Sequence, residues 1–130
     1  MGFTEAIKSV FSKYATFSGR ATRPEYWYFA LFNIIIYMVA IGLPTIVGVF
    51  CYGVDEAIGV MSVGTIIYYI YALASFIPNL AVSVRRLHDT GRSGWNLLWA
   101  LLPIVGAIVL LVFMISPSNP GENAYGEEQA

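Results

Sequence analysis

The chain has 130 residues, of which 58% are hydrophobic and only 12% charged, with a mean hydropathy of +0.68; soluble domains carry about 25% charged residues. That balance excludes an ordinary soluble domain, and the length supports a single domain. Seven Lys and Arg against eight Asp and Glu give a net charge of -1, which speaks against a nucleic-acid-binding surface, and the single cysteine, Cys51, excludes an intrachain disulfide, a thiolate zinc site or an iron–sulfur cluster.

At the N-terminus Phe3, Ile7, Val10, Phe11 and Tyr14 recur at helical spacing, with Glu5, Lys8, Ser9, Ser12 and Lys13 off the stripe. This predicts a short amphipathic helix over about residues 3–15, too short to cross a bilayer and suited to the interface or to packing against other helices. Thr22-Arg23-Pro24-Glu25 then matches a capping box with proline in the first turn. From Tyr26 to Phe50 no formal charge occurs, so a first span over about 26–50 is expected, tilted or kinked near Gly42 and Pro44. A short acidic connection, Gly53-Val54-Asp55-Glu56, leads to a second uncharged run read as a span over about 60–84. A third covers about 95–115 and contains Pro103 and Gly106. The tail, 116–130, is rich in Pro, Gly, Asn and Glu and is expected to lack stable structure. The fold class that follows is an all-α integral membrane protein, a single membrane domain of three transmembrane helices preceded by a short amphipathic interfacial helix.

Orientation follows from the cations. Lys8, Lys13, Arg20 and Arg23 precede the first span, and Arg85, Arg86 and Arg92 lie between the second and third. The positive-inside rule puts that side in the cytoplasm. With three crossings, Asp55, Glu56 and the tail fall outside, the N-terminus being cytoplasmic and the C-terminus periplasmic or extracellular.

The densest polar segment runs from Arg85 to Trp95 and reads Arg-Arg-Leu-His-Asp-Thr-Gly-Arg-Ser-Gly-Trp. Gly91 suits a helix C-cap there. Two readings of the charges stand side by side. In one, Arg85, Asp89 and Glu25 take part in ion pairs that staple the helix ends. In the other, Arg20, Arg23, Arg85, Arg86 and Arg92 converge on one rim with only Glu25 and Asp89 to neutralise them, leaving guanidinium forks for the phosphates of anionic lipid headgroups. Glu25, His88, Asp89, Asn33 and Asn79 would then form a structural polar network. Asn33 and Asn79 each lie roughly 10 Å inward from the same interface by helix rise, which predicts a hydrogen bond between them. Along the second span Thr65, Tyr68, Ala72, Ser75, Asn79, Ser83 and Arg86 form a small, weakly polar stripe, suited to helix packing or to a water path. No Asp, Glu, Lys or His lies deep in any span, which weighs against ion transport. His88 beside Asp89 invites a general base or a metal ligand, but a lone histidine without a second ligand or a nucleophile fits a structural role better. No catalytic, cofactor or metal residue is assigned.

Three strings carry a resemblance. They are Phe17-Ser18-Gly19-Arg20-Ala21-Thr22-Arg23-Pro24-Glu25-Tyr26-Trp27, the Arg85–Trp95 segment, and Asn123-Ala124-Tyr125-Gly126. Together they resemble the domain of unknown function 805 family of small bacterial inner-membrane proteins, over nearly the whole chain. The resemblance implies a bacterial inner-membrane location and a helical membrane fold, and it brings no activity. The expected function is therefore non-enzymatic: a membrane module or accessory subunit contacting anionic phospholipid, possible as a homo-oligomer or within a larger membrane complex. The alternatives are an oligomeric small transporter or channel and, third, a membrane enzyme using His88 and Asp89.

Overall fold

The structure, a computed structural model, describes residues 1–129, and no strand occurs among them. Its elements are α1 (Phe3–Ser12), α2 (Arg23–Tyr37), a π-helical turn (Met38–Gly42), α3 (Leu43–Tyr52), α4 (Val54–Asp89), a 3₁₀ segment (Gly94–Leu101) and α5 (Val105–Ile115). Two compact units result: one from Met1–Phe29 with the chain from Ile77 onward, the other from Ala30–Phe76. Both α2 and α4 contribute to each.

Two helical stretches are long and apolar enough to cross a membrane. They are Arg23–Tyr52, of 30 residues, and Val54–Asp89, of 36, or about 45 and 54 Å at 1.5 Å per residue against a hydrocarbon core of about 30 Å. The irregularity expected near Gly42 and Pro44 is the π-helical turn. Pro44 has no N–H to give the Ala40 carbonyl four residues back. That carbonyl points at Gly64 of α4, where a Cβ would come within 2.0 Å of its oxygen. A second close approach follows, since a Cβ on Gly48 would lie 3.1 Å from the Ala57 Cα. Gly53, at φ 100°, turns α3 into α4. Beyond the Gly64 contact, toward the start of α2, Tyr37 packs edge-on against Tyr68 at 5.4 Å and Tyr71 donates to Asn33 Oδ1 at 2.5 Å. Small residues that admit close backbone approach, with side-chain hydrogen bonds between them, are what membrane helix pairs use.

In the other unit α1 lies against the start of α2. Phe3 meets Tyr28 and Phe11 meets Phe29, both edge-to-face, while Ala6 and Val10 are fully buried. The α4 helix ends in the C-cap expected at Gly91. The Arg92 N–H reaches the Leu87 carbonyl and the Gly91 N–H the His88 carbonyl, with Gly91 at φ 78°, the two bonds of a Schellman motif.

The third apolar run departs from expectation. Instead of one span over 95–115, the chain forms the 3₁₀ segment, turns at Leu102–Ile104, and returns as α5. Pro103 cannot continue the helix, and Ile104, at φ 65° and ψ -65°, is the centre of a strained γ-turn closed by the Val105 N–H on the Pro103 carbonyl at 2.7 Å. The two limbs touch through Gly106, where a Cβ would fall 1.5 Å from the Trp99 carbonyl oxygen. Each limb is about 16 Å long, eight residues at about 2.0 Å and eleven at about 1.5 Å, or half the hydrocarbon thickness. The tail is a second correction. Rather than lacking structure, it is hydrogen-bonded back onto the end of α4, with Asn119 N–H on the Asp89 carbonyl at 2.7 Å and a tight turn closed between Asn123 and Gly126. Composition pointed to disorder, but the tail's carbonyls supply acceptors that buried arginines need.

Candidate functional site

The polar cluster is assembled from the loop before α2, the first turn of α2, the end of α4 and the tail. Asp89 is its centre. One carboxylate oxygen accepts from Arg20 Nε at 2.9 Å, the other from Arg86 Nη1 at 2.5 Å and from the Ser118 hydroxyl. Arg20 spends its remaining donors on backbone carbonyls: Nη1 on Gly121 and Gly126, Nη2 on Asp89 and Asn119. Arg86 does the same at the C-terminal end of α5, with Nε on the Met114 carbonyl at 3.1 Å and Nη2 on Ser116. Carbonyls left over at a helix C-terminus carry partial negative charge, so a guanidinium there satisfies its own donors and theirs together.

A second pair lies alongside. Arg85 Nη1 donates to Glu25 Oε1 at 2.9 Å, the same oxygen that accepts the Ser9 hydroxyl of α1, and Arg85 Nε donates to the Thr16 carbonyl. The Glu25 N–H donates to Thr22 Oγ1 at 3.3 Å, so the cap half of the expected capping box forms while the Glu25 carboxylate turns to Ser9 and Arg85. Arg85 Nη2 is buried without a partner among the described residues. Every one of Arg20, Arg85, Arg86, Glu25 and Asp89 is 3% exposed or less. Three guanidiniums against two carboxylates leave one positive charge in excess, which the carbonyls of Met114, Ser116, Asn119, Gly121 and Gly126 offset. Buried charge is tolerable only when paired and hydrogen-bonded in this way.

The tail closes the cluster. Asn123 donates to the His88 carbonyl and its own Oδ1 accepts from the Tyr125 N–H, while the Tyr125 ring stacks on His88 at 4.0 Å, parallel to within 1°. His88 Nδ1 is held on the Gly19 carbonyl at 2.9 Å. Each of the three strings that carry the family resemblance therefore reaches this one place.

Of the five arginines expected to hold lipid phosphates, Arg20, Arg85 and Arg86 are corrected: all three are buried at 3% exposure or less, and apart from Arg85 Nη2 their guanidinium nitrogens bond within the chain. Arg92 is partly buried with its guanidinium 4.1 Å from the centre of the Phe113 ring, a cation–π contact. Arg23 alone is exposed and makes no ion pair among the described residues. It lines a small recess of about 190 Å³ with Pro24, Trp27 and Tyr28. Asp89 pairs with Arg20 and Arg86, His88 beside it bonds the Gly19 carbonyl, and Glu25 pairs with Arg85. Asn33 belongs to the other unit and bonds Tyr71, while the Asn79 carbonyl accepts the Ser83 hydroxyl on α4. Among the described residues no group of His, Cys, Asp and Glu is placed to hold a metal ion. Residue-by-residue reading missed the partners Ser118, Asn119, Gly121 and Tyr125. The signal for Tyr125 lay in the Asn123–Gly126 string, and that for the others in Ser118-Asn119-Pro120-Gly121, whose residues are turn-formers rather than filler.

These features define a small helical membrane protein built around a buried Arg–Asp cluster. The chain belongs to the family described as Protein of unknown function (DUF805), which it matches over residues 14–127. It is 40% identical over 121 residues, 92% of this chain and 91% of the relative, to inner membrane protein YhaI of Escherichia coli strain K12. The same figures hold for inner membrane protein YhaH of that strain. No solved structure matches the chain.

Proposed function

We propose that the protein is a non-enzymatic membrane module that crosses the bilayer twice, through the stretch Arg23–Tyr52 and through α4. From the end of α4 it dips a helical hairpin, residues 94–115, into the same leaflet, and it keeps both chain ends on that side. The three-span reading would set the tail opposite Arg20. Hydrogen bonds from Arg20 to the Asn119, Gly121 and Gly126 carbonyls favour the re-entrant hairpin instead. All seven Lys and Arg lie on the side of the cluster, so the positive-inside rule makes both ends cytoplasmic. Maleimide labelling of Glu127→Cys in a Cys51→Ser background tests this, with Asp55→Cys as the opposite marker. An impermeant reagent should reach Asp55→Cys in intact cells and Glu127→Cys only after the inner membrane is opened.

The module's contact with anionic headgroups falls to Arg23, and the buried arginines act as its clasp. One observation carries this: Arg20, Arg85 and Arg86 are sealed at 3% exposure or less, while Arg23 is open beside Trp27 and Tyr28. Trp and Tyr sit characteristically at headgroup level, and a guanidinium fork matches phosphate oxygens. Native mass spectrometry from mild detergent should show less anionic lipid on Arg23→Ala with the melting temperature unchanged. Arg85→Ala with Arg86→Ala should instead lower the melting temperature. Undiminished anionic lipid on Arg23→Ala overturns the reading.

A further inference from the structure

Next to the Arg23 recess runs an apolar groove of about 410 Å³, lined by Tyr26, Trp27, Ala100 and, on α5, Ala107, Leu110, Leu111 and Met114. The four α5 positions are spaced i, i+3, i+4 and i+7 and so share one helix face. Trp27 belongs to both lining sets. Its indole N–H is tied to the Met114 carbonyl at 3.1 Å, which fixes the ring as a common wall. Of its lining residues Ala100 and Ala107 present only methyl groups, leaving room that larger side chains would fill.

We propose that recess and groove together form a site for one anionic phospholipid, its phosphate on Arg23 and one acyl chain laid along α5 past Ala107 and Ala100. This rests on the assignment of Arg23 as the headgroup contact and adds the rest of the ligand. Charge complementarity commits the groove to this occupant. The recess offers an exposed guanidinium that makes no ion pair among the described residues, and the adjoining surface is mainly apolar, so an anion and a hydrocarbon chain on one molecule suit the two together. A partner helix would need an acidic residue at the same place to meet Arg23. Buried methylenes contribute about 0.8 kcal/mol each, so the groove supplies retention and Arg23 supplies selectivity.

The test is native mass spectrometry of the full chain with added phosphatidylglycerol or phosphatidylcholine of identical acyl chains. Wild type should retain phosphatidylglycerol about fivefold over phosphatidylcholine, the discrimination expected of one basic side chain at an anionic headgroup. Arg23→Ala should retain the two lipids equally. Ala107→Phe, and independently Ala100→Phe, should lose both lipids while keeping the wild-type melting temperature; Ala100 and Ala107 are exposed, so either phenylalanine can be accommodated. If the phenylalanine variants hold lipid like wild type while Arg23→Ala loses its preference, the groove proposal is overturned and the headgroup reading stands. If Arg23→Ala keeps the preference, both fall. Cross-linking from Ala107→Cys to a protein rather than to lipid overturns the lipid as occupant.

Discussion

In the unit that holds both chain ends, three arginines and two carboxylates are withdrawn from solvent and joined by ion pairs of 2.5 to 2.9 Å. In Ala30–Phe76 there is no basic residue at all, and the close contacts come from Gly64, Gly48 and a set of tyrosines. The first unit depends on directional bonds, each donor needing its acceptor in place, because a buried group left unpaired costs more than the bond gains when made. The second depends on shape, since helices surrounded by lipid gain little from excluding apolar surface and associate by close packing instead. Sensitivity to mutation should divide accordingly: to charge and acceptor removal in one unit, to added volume in the other.

The largest effect is expected from Asp89→Ala. It strips the shared carboxylate from Arg20 and Arg86 and leaves two buried guanidiniums without a counter-charge, where breaking one buried pair costs about 3–5 kcal/mol. Thermal unfolding in detergent should shift strongly downward, and hydrogen exchange should rise first in the tail and at the end of α4. A wild-type melting temperature for Asp89→Ala would break the comparison.

Next comes a volume test. Gly64→Ala drives a methyl toward the Ala40 carbonyl, 2.0 Å away, whereas the Gly59 position has nothing within 4 Å. Overpacking costs about 1–3 kcal/mol, while relieving a helix glycine in open space gains about 0.5–1 kcal/mol. Gly64→Ala should therefore lower the melting temperature and Gly59→Ala should hold or raise it. Equal effects would mean that helix propensity rather than close approach governs this unit.

Removing Tyr125 should matter less than either. Its ring supplies one face of the His88 stack, and aromatic pairs contribute about 0.5–1.5 kcal/mol beyond their burial. Tyr125→Ala should speed proteolysis of the tail while leaving the Arg20–Asp89 pair, and so the overall melting temperature, nearly unchanged. Tail cleavage at the wild-type rate would show that the arginine–carbonyl bonds hold it alone.

The same division governs what was legible in the sequence. Uncharged runs, the Gly91 cap and the break before Pro44 were readable, because each depends on residues near one another in the chain. Apolar content also made 95–115 look like a span; the turn at Leu102–Ile104 lies in a conformation that neighbouring residues do not dictate. Counting charges found the arginine rim and misjudged its availability. Arg20 and Arg86 share the one Asp89 carboxylate, and their other donors are taken by main-chain carbonyls of Met114, Ser116, Asn119, Gly121 and Gly126; a carbonyl has no sequence signature. The two carboxylates were visible; the five dipoles that complete the cluster were not.

The smallest effect sharpens the comparison most finely. Tyr71 and Asn33 make a polar contact at 2.5 Å within the unit that otherwise packs by shape, and Tyr71→Phe removes the hydroxyl while keeping the ring. Side-chain hydrogen bonds between membrane helices average about 0.6 kcal/mol, because partners are also found when the helices part. If the unit is held by shape, Tyr71→Phe should shift the melting temperature by a degree or two at most, and the ring contacts of Tyr71 with Phe32 and Tyr68 should persist. A loss approaching that of Asp89→Ala would place a directional bond at the centre of this unit too, and the two regions would then differ in charge alone and not in the kind of interaction that holds them.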